Sequence, residues 1–492
     1  MNAPYSTEAM TEGMTIVIIT LASHRLSRKH SGSNDWHLLC GGGRKQSTLK
    51  IRKKTLASGP SACSLQAHEK NKPKARHRAT TRPTKTAYTA LRQIVQWIPE
   101  GLPDRIAREA KADIRTFSCT SHVLALLYGQ ITRSGSLNEI CDAARLHEPE
   151  LNRIRGATAP KRNTFSNANR TRDPAIAEKL YWAVFAHLQS ICPSFTRYAK
   201  HSGFIFRLKR DIFAIDSTTL KLSLDSIDWA RHRRKKAAAK THMSLNVGNR
   251  LPTFAVVEDA AHHDSKRADA LCAGLKDGDV LLADRAYLDL AFLFGLARRG
   301  VFFVLREKKS MVFEVLEERR HKNPRILSDQ TVRMSRKGSG EKYPETLRRV
   351  TAVVEVDGKD TEMTFITNNF AWSPRTVAEL YRARWAIEIF FKELKQTLQL
   401  SDFVGYNEKA VKWQVWTGLL AHLLLRFLKH VSKWGLSFSR LAGTVRAAVW
   451  MKISLLDVLR KYGTAGGPSR PVIVENQIYF QGFERFSNVP VG

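Results

Sequence analysis

No apolar run in this 492-residue chain approaches the roughly 18 residues needed to cross a bilayer. The run MTIVIITLA at 14–22 is too short, and acidic rather than basic residues precede it, which is unlike a signal peptide. Cysteine is also scarce: six, with no CxxC pair and no zinc-type spacing to histidine. That argues against a zinc finger and for reduced, structural thiols of a cytosolic protein. The third shortage is negative charge. Against 80 Lys and Arg stand 45 Asp and Glu, a formal excess of +35. Such an imbalance calls for a polyanionic partner, most simply nucleic acid, with an anionic membrane surface as the competing partner. What remains is globular in character, 43% hydrophobic, and long enough for more than one domain.

The texture changes along the chain. Residues 1–85 are rich in Lys and Arg, poor in aromatics and without periodicity, a composition expected of a disordered extension. Two readings stand for it, a DNA-binding arm or an upstream-extended start of translation. Residues 86–204 turn helical, with a capping box at Ser136 and Glu139 and a helix, turn, helix and basic segment that suggest a helical DNA-binding domain. From 205 to 309 come three β-rich runs, the last two joined by a turn at Gly248–Asn249, then helices alternating with two more strands. That order predicts a mixed α/β sheet. Residues 310–374 are again β-rich, with a hairpin signal at Asp357–Gly358. A helix over Tyr381–Leu400 follows in 375–430, with a strongly apolar one at VWTGLLAHLLLRFLKHV. The region 431–465 reads as one further helix and a candidate dimerisation element, and 466–492 as a tail.

Three acidic residues stand out by place. Asp216 sits in the strand FAIDSTTLKL, Asp284 ends the run DVLLAD, and Glu388 lies on the helix after the β-rich block. Sites in open α/β sheets gather at strand ends. Clustered carboxylates repel one another, and a hard divalent cation such as Mg²⁺ relieves the cost. The helix adds a second pattern. At about 100° per residue, Tyr381, Arg384, Glu388 and Lys395 fall on one narrow strip beside the core-facing stripe. Each acidic residue has an ordinary alternative, a surface carboxylate paired with a nearby arginine, as Arg384 and Glu388 four apart would be. The run His262–His263–Asp264 reads as a loop opening a helix, with Asp264 as its cap.

The blocks IDSTTLKL, ADRAYLD and YRARWAIEIFFKELK resemble the three motif blocks of bacterial insertion-sequence transposases of the DDE class. The resemblance is to the group whose third block has the spacing Tyr, two residues, Arg, three, Glu, six, Lys (YREK), which Tyr381, Arg384, Glu388 and Lys395 match. It covers roughly 90–460 and departs at Ala286, where the family more often has glycine. What it implies is an RNase H-like mixed sheet flanked by helices, interrupted by a β-rich insertion and preceded by an all-helical domain. Asp216, Asp284 and Glu388 would hold two Mg²⁺ ions, with Mn²⁺ able to substitute. Tyr381, Arg384 and Lys395 would contact DNA, as would Arg285 and Tyr287 unless they pair locally, and Trp385 would stack on a displaced base or pack in the core. The reaction implied is cleavage at the element ends, then attack of the freed 3′ end on a second phosphodiester, which in YREK relatives makes a hairpin. The partners implied are terminal inverted repeats and target DNA, bound by a homodimer, in the bacterial cytoplasm at the nucleoid and away from membranes. Two other classes compete: a catalytically inactive, transposase-derived repressor, and an RNase H-like nuclease. The complete Asp, Asp, Glu set disfavours the repressor, and the β insertion disfavours the nuclease.

Overall fold

The structure, a computed structural model, describes residues 84–112, 114, 116–196, 208–222, 231–232, 236–259, 264–356, 358–400 and 404–462. The expected extension up to residue 83, the 466–492 tail and the pair His262–His263 lie outside the described residues. Asp264 opens a short 3-10 turn, Asp264–Arg267.

The described chain opens with helices: α1 (Ala90–Val95), α2 (Leu102–Glu109), α3 (Cys119–Thr132), α4 (Leu137–Leu146), α5 (Glu148–Asn152), α6 (Arg162–Thr171) and α7 (Ala175–Ile191). Local chemistry sets their ends. Ser118 caps α3, and the Ser136 hydroxyl accepts the Glu139 N–H at 3.2 Å to start α4. The return half of the expected capping box is displaced by one residue, because the Glu139 carboxylate takes the Gly135 N–H (2.9 Å) rather than that of Ser136. Helix α3 is buried on nearly every side, as expected of a helix apolar all round.

The sheet follows: β1 (Ile212–Leu222), β2 (Arg231–His232), β3 (Lys236–Asn246), β4 (Leu251–Asp259), α8 (Ala268–Cys272), β5 (Val280–Ala283), α9 (Leu290–Arg298) and β6 (Phe302–Arg306). Strand β3 runs antiparallel to both β1 and β4, while β1, β5 and β6 are parallel neighbours. The order β4-β3-β1-β5-β6 is the RNase H-like mixed sheet. The basic run at 231–240 contributes to two strands, β2 at Arg231–His232 and the start of β3 at Lys236. Alternate side chains of β1 and β5 enter different cores, as the two-residue strand period requires. Ala214 and Leu282 face the larger cluster, with Ile387 and Phe390; Ile215, Leu281 and Ala283 face a smaller one, with Leu271 and Leu293.

The β-rich block comprises β7 (Phe313–Glu318), β8 (Ile326–Met334), a short α10 (Lys337–Lys342), β9 (Leu347–Val356) and β10 (Lys359–Thr367). β9 and β10 pair as the expected hairpin, Val356 opposite Lys359, with Gly358 at φ +73° in the turn. This block continues the central sheet: β10 pairs antiparallel with β6, giving the path β6-β10-β9-β8-β7. Arg348, 1% exposed, binds Asp329 through two 2.7 Å contacts and donates to the Trp372 carbonyl (2.5 Å). It thereby fixes the approach to the next helix.

After the block come α11 (Pro374–Ala383), α12 (Trp385–Lys392), a π-helical turn (Glu393–Thr397), α13 (Glu408–Val431), α14 (Phe438–Ala448) and α15 (Leu455–Tyr462). The helix expected over Tyr381–Leu400 is therefore two α-helices and a π-turn. The single helix expected in 431–465 is two, separated at Ile453, which bridges Lys85. α13 is the apolar helix, buried from Trp413 to Leu428 and packed on α3, α6 and α7. Truncating a core residue there, Leu424→Ala, would cost about 2–5 kcal/mol. No helix among the described residues is long and apolar enough to cross a membrane.

Candidate active site

Strand register brings the two aspartates together. Ile215 of β1 lies opposite Ala283 of β5, so Asp216, midway along β1, lies level with Asp284 at the carboxyl-terminal edge of β5. Asp216 shares the face of Ala214, the face covered by α12. Glu388 reaches this edge from the first turn of α12. One Asp216 oxygen accepts its neighbour's amide, Ser217 N–H, at 2.8 Å.

The helix bearing the strip starts cleanly, with Ser373 capping Thr376 N–H (3.1 Å) and Pro374 in the first turn. It tightens at Arg384, whose N–H donates to the Tyr381 carbonyl three residues back (3.0 Å). That junction aims the Arg384 side chain between two carboxylates. One guanidinium nitrogen meets Asp216 Oδ2 at 3.1 Å and the other bonds Glu388 Oε1. The Tyr381 hydroxyl donates to Asp284 Oδ1 at 3.2 Å, and its ring packs on Phe365 at 4.8 Å. Five residues from three separate segments thus form one network. Trp385 follows, half-buried, at the start of α12, and Lys395 lies in the π-turn, off the α-helical strip on which the sequence put it.

The electrostatics match this arrangement. Burial pushes the Glu388 carboxyl up; Arg384 opposes through charge and hydrogen bond, Asp216 and Asp284 add to the rise, and the net is upward. Burial alone would lower the Arg384 pKa, but Tyr381, Glu388 and Asp216 outweigh it and fix the positive charge. The Tyr381 phenol is pushed up to about 12, chiefly by burial, with Arg384 opposing and Asp284 reinforcing.

The donor set fits a hard divalent cation, being three carboxylates that already sense one another. As they stand, however, no three His, Cys, Asp or Glu side chains among the described residues are grouped closely enough to ligate one ion. The physical reason is Arg384, which lies between Asp216 and Glu388 and supplies the neutralising charge itself.

One expectation needs revision. Tyr287 is fully buried in the smaller core and offers DNA nothing, whereas Arg285 beside it is exposed. The apolar ring of Tyr287 is worth more under the sheet than at the surface. Sequence reasoning also missed Arg306. Ala283 pairs with Leu305, so Arg306 ends β6 beside Asp284, and its charge acts on the Tyr381 phenol. A basic residue closing the strand after the one that carries Asp284 was the available signal. A second omission is the buried group behind α12. Glu393 meets His422 Nε2 at 2.8 Å and one Arg426 nitrogen at 2.8 and 2.6 Å. Burial would raise the Glu393 carboxyl, but Arg426 and His422 prevail and hold it down at about 2.

A family model described as Transposase DDE domain matches residues 207–424, and a second, Domain of unknown function (DUF4372), matches 86–154. Among curated proteins, the chain is 28% identical over 271 residues to "Putative transposase y4zB" of Sinorhizobium fredii, covering 54% of this chain and 74% of that protein. It is 27% identical to "Probable transposase for insertion sequence element IS5377" of Geobacillus stearothermophilus, over 46% of this chain and 59% of that relative's length. A third, "Putative transposase for insertion sequence element IS4SA" of Synechocystis, is 24% identical over 63% of this chain and 83% of its own.

Proposed function

We propose that this chain is a DDE transposase of a bacterial insertion sequence, an enzyme that depends on divalent metal and cuts and joins DNA, with Asp216, Asp284 and Glu388 as its metal ligands. The observation that carries this reading is the network in which Arg384 joins Asp216 to Glu388 while Tyr381 holds Asp284. Side chains from β1, the end of β5 and α12 meet at one strand edge without any shared local motif. Two Mg²⁺ ions, with Mn²⁺ as a substitute, would be held there and would supply an activated water and neutralise the leaving 3′ oxygen.

The remaining roles fall to the chain's own residues. Arg384 is the resting counter-charge of the carboxylates and moves to a DNA phosphate when that charge is supplied otherwise, forming a charge-assisted contact. Tyr381 orients Asp284 and, released from it, donates to the DNA backbone. Lys395 grips a phosphate from the π-turn, and Trp385 stacks on a displaced base beside the site. Arg285, exposed next to Asp284, adds a further backbone contact. The spacing of Tyr381, Arg384, Glu388 and Lys395 supports reading the chain as one of the YREK group, acting on its own terminal inverted repeats as a DNA-bound homodimer.

The test is incubation with the DNA flanking its own gene, with and without Mg²⁺, and mapping of the cut ends. Asp216→Asn, Asp284→Asn and Glu388→Gln should each abolish cleavage while end binding stays near normal, because they remove ligands and not phosphate contacts. Strand cleavage surviving in any of the three would remove that residue from the metal set.

A further inference from the structure

The π-turn after α12 is held from both ends by side chains that the reaction does not otherwise use. At its start, the Glu393 carboxylate is 12% exposed and is gripped by Arg426 and His422 of α13. Arg426 in turn lies over the Phe438 ring of α14, 5.2 Å from its centroid. At its end, Arg133 Nε of the α3 cap donates to the Thr397 carbonyl at 2.9 Å and Arg446 of α14 donates to the same oxygen at 3.1 Å. Inside it, Leu398 N–H bonds the Glu393 carbonyl five residues back (3.1 Å), the π pattern itself.

An α-helical continuation meets no helix breaker in this sequence, which contains neither glycine nor proline from Tyr381 to Leu400. A wider turn that persists there must be imposed by its surroundings, and the two grips are what impose it. Between them sits Lys395, seven residues beyond Glu388 in the chain. We propose that Glu393, through Arg426 and His422, is a positioning residue for cleavage: it locks the π-turn and so sets the pose of Lys395 relative to Glu388. This rests on the phosphate-contact role given to Lys395 above. Because Arg133 belongs to the amino-terminal helices, the same turn ties their placement to the catalytic helix.

The test compares single-turnover cleavage of a pre-bound end, end affinity and melting temperature. Glu393→Gln combined with Arg426→Met removes both buried charges together, so neither is left unpaired. The expected result is near-normal melting and end binding with cleavage slowed at least about tenfold, the scale of a small misplacement at a reacting centre. In a Lys395→Ala background the same pair should slow cleavage no further, since its effect passes through Lys395. Cleavage at the wild-type rate in the folded double variant overturns the proposal, as does a loss that multiplies fully with that of Lys395→Ala. If the double variant does not fold, Arg426→Lys decides: it keeps the charge but not the shared grip, should slow cleavage with end binding unchanged, and overturns the proposal by cutting normally. A wild-type rate in Lys395→Ala alone removes the phosphate role of Lys395 and this inference with it. A slow Lys395→Ala with an independent Glu393 effect removes only the inference.

Discussion

Replacing Arg384 by alanine separates a braced helix from a charge-balanced catalytic centre. If Arg384 merely paired with Glu388 along the helix, its loss would cost a few tenths of a kcal/mol. The structure demands more. Its side chain is 12% exposed and meets carboxylates of 23% and 29% exposure, one at 3.1 Å. At that separation and an effective dielectric near 20, the gross attraction to one carboxylate is about 5 kcal/mol. Desolvation of the guanidinium and the partial wetness of both partners offset much of it, placing the net loss between an exposed and a buried pair, at about 2 kcal/mol. In chelator, Arg384→Ala should therefore melt about 4–8 °C below wild type, taking the scaling for a domain of 150–250 residues. Added Mg²⁺ should narrow that gap, since a ligand of the folded state stabilises by mass action and no guanidinium now competes for the carboxylates. At saturating Mg²⁺, cleavage of a pre-bound end should remain about ten- to a hundred-fold slow from the lost phosphate contact. Melting by calorimetry with and without Mg²⁺, beside single-turnover cleavage, reads all three. A mutant that melts like wild type in chelator, or gains no more from Mg²⁺ than wild type does, refutes the account of Arg384 as the resting counter-charge.

Four further outcomes follow from the same geometry. Tyr381→Phe keeps the ring on Phe365 but drops the 3.2 Å bond to Asp284, so stability should fall by only about 1 kcal/mol while cleavage slows; unchanged cleavage would confine the hydroxyl to a structural role. Because the Glu388 carboxyl is raised, the metal-free fold loses stability as pH climbs from the ordinary glutamate range through that raised value. Mg²⁺ affinity should rise over the same window, and calorimetric titration at several pH values finding constant affinity would contradict this. Glu393 is shifted the other way, from 4.5 down to about 2; its contribution, on the order of 3 kcal/mol, is complete above pH 4.5 and is lost as pH falls toward 2, so acid unfolding of Glu393→Gln should show a shallower slope there. Finally, a chain beginning at Ala87 loses the Lys85–Ile453 bridge and the Ser454 N–H bond to the Thr84 carbonyl (2.8 Å), and should melt below one that begins at Arg82; equal melting would make those contacts idle.

The sequence by itself carried whatever depends on residues near one another in the chain. The two-residue alternation of β1, the all-apolar β5, the caps at Ser136 and Ser373 and the turns at Gly248 and Gly358 are local, because backbone geometry and side-chain period act over a few residues. The chemistry of the candidate site was legible for the same reason: Asp216, Asp284 and the Tyr381–Arg384–Glu388 spacing are readable residue by residue. Only the tertiary structure decided what pairs with what. Arg384 reaches Asp216, 168 residues away, and that contact turns a helix-surface ion pair into the centre of a carboxylate cluster. Arg306 came to the site because strand register, set by long-range pairing, determines which side chains share an edge, and Tyr287 went into the core from the 3-10 turn that follows β5. The departure from the α-helical strip at Glu393 has the same origin. Nothing local prefers a π-turn there, and the partners that hold it, Arg133, His422, Arg426 and Arg446, come from three other helices brought alongside by burial of their apolar faces.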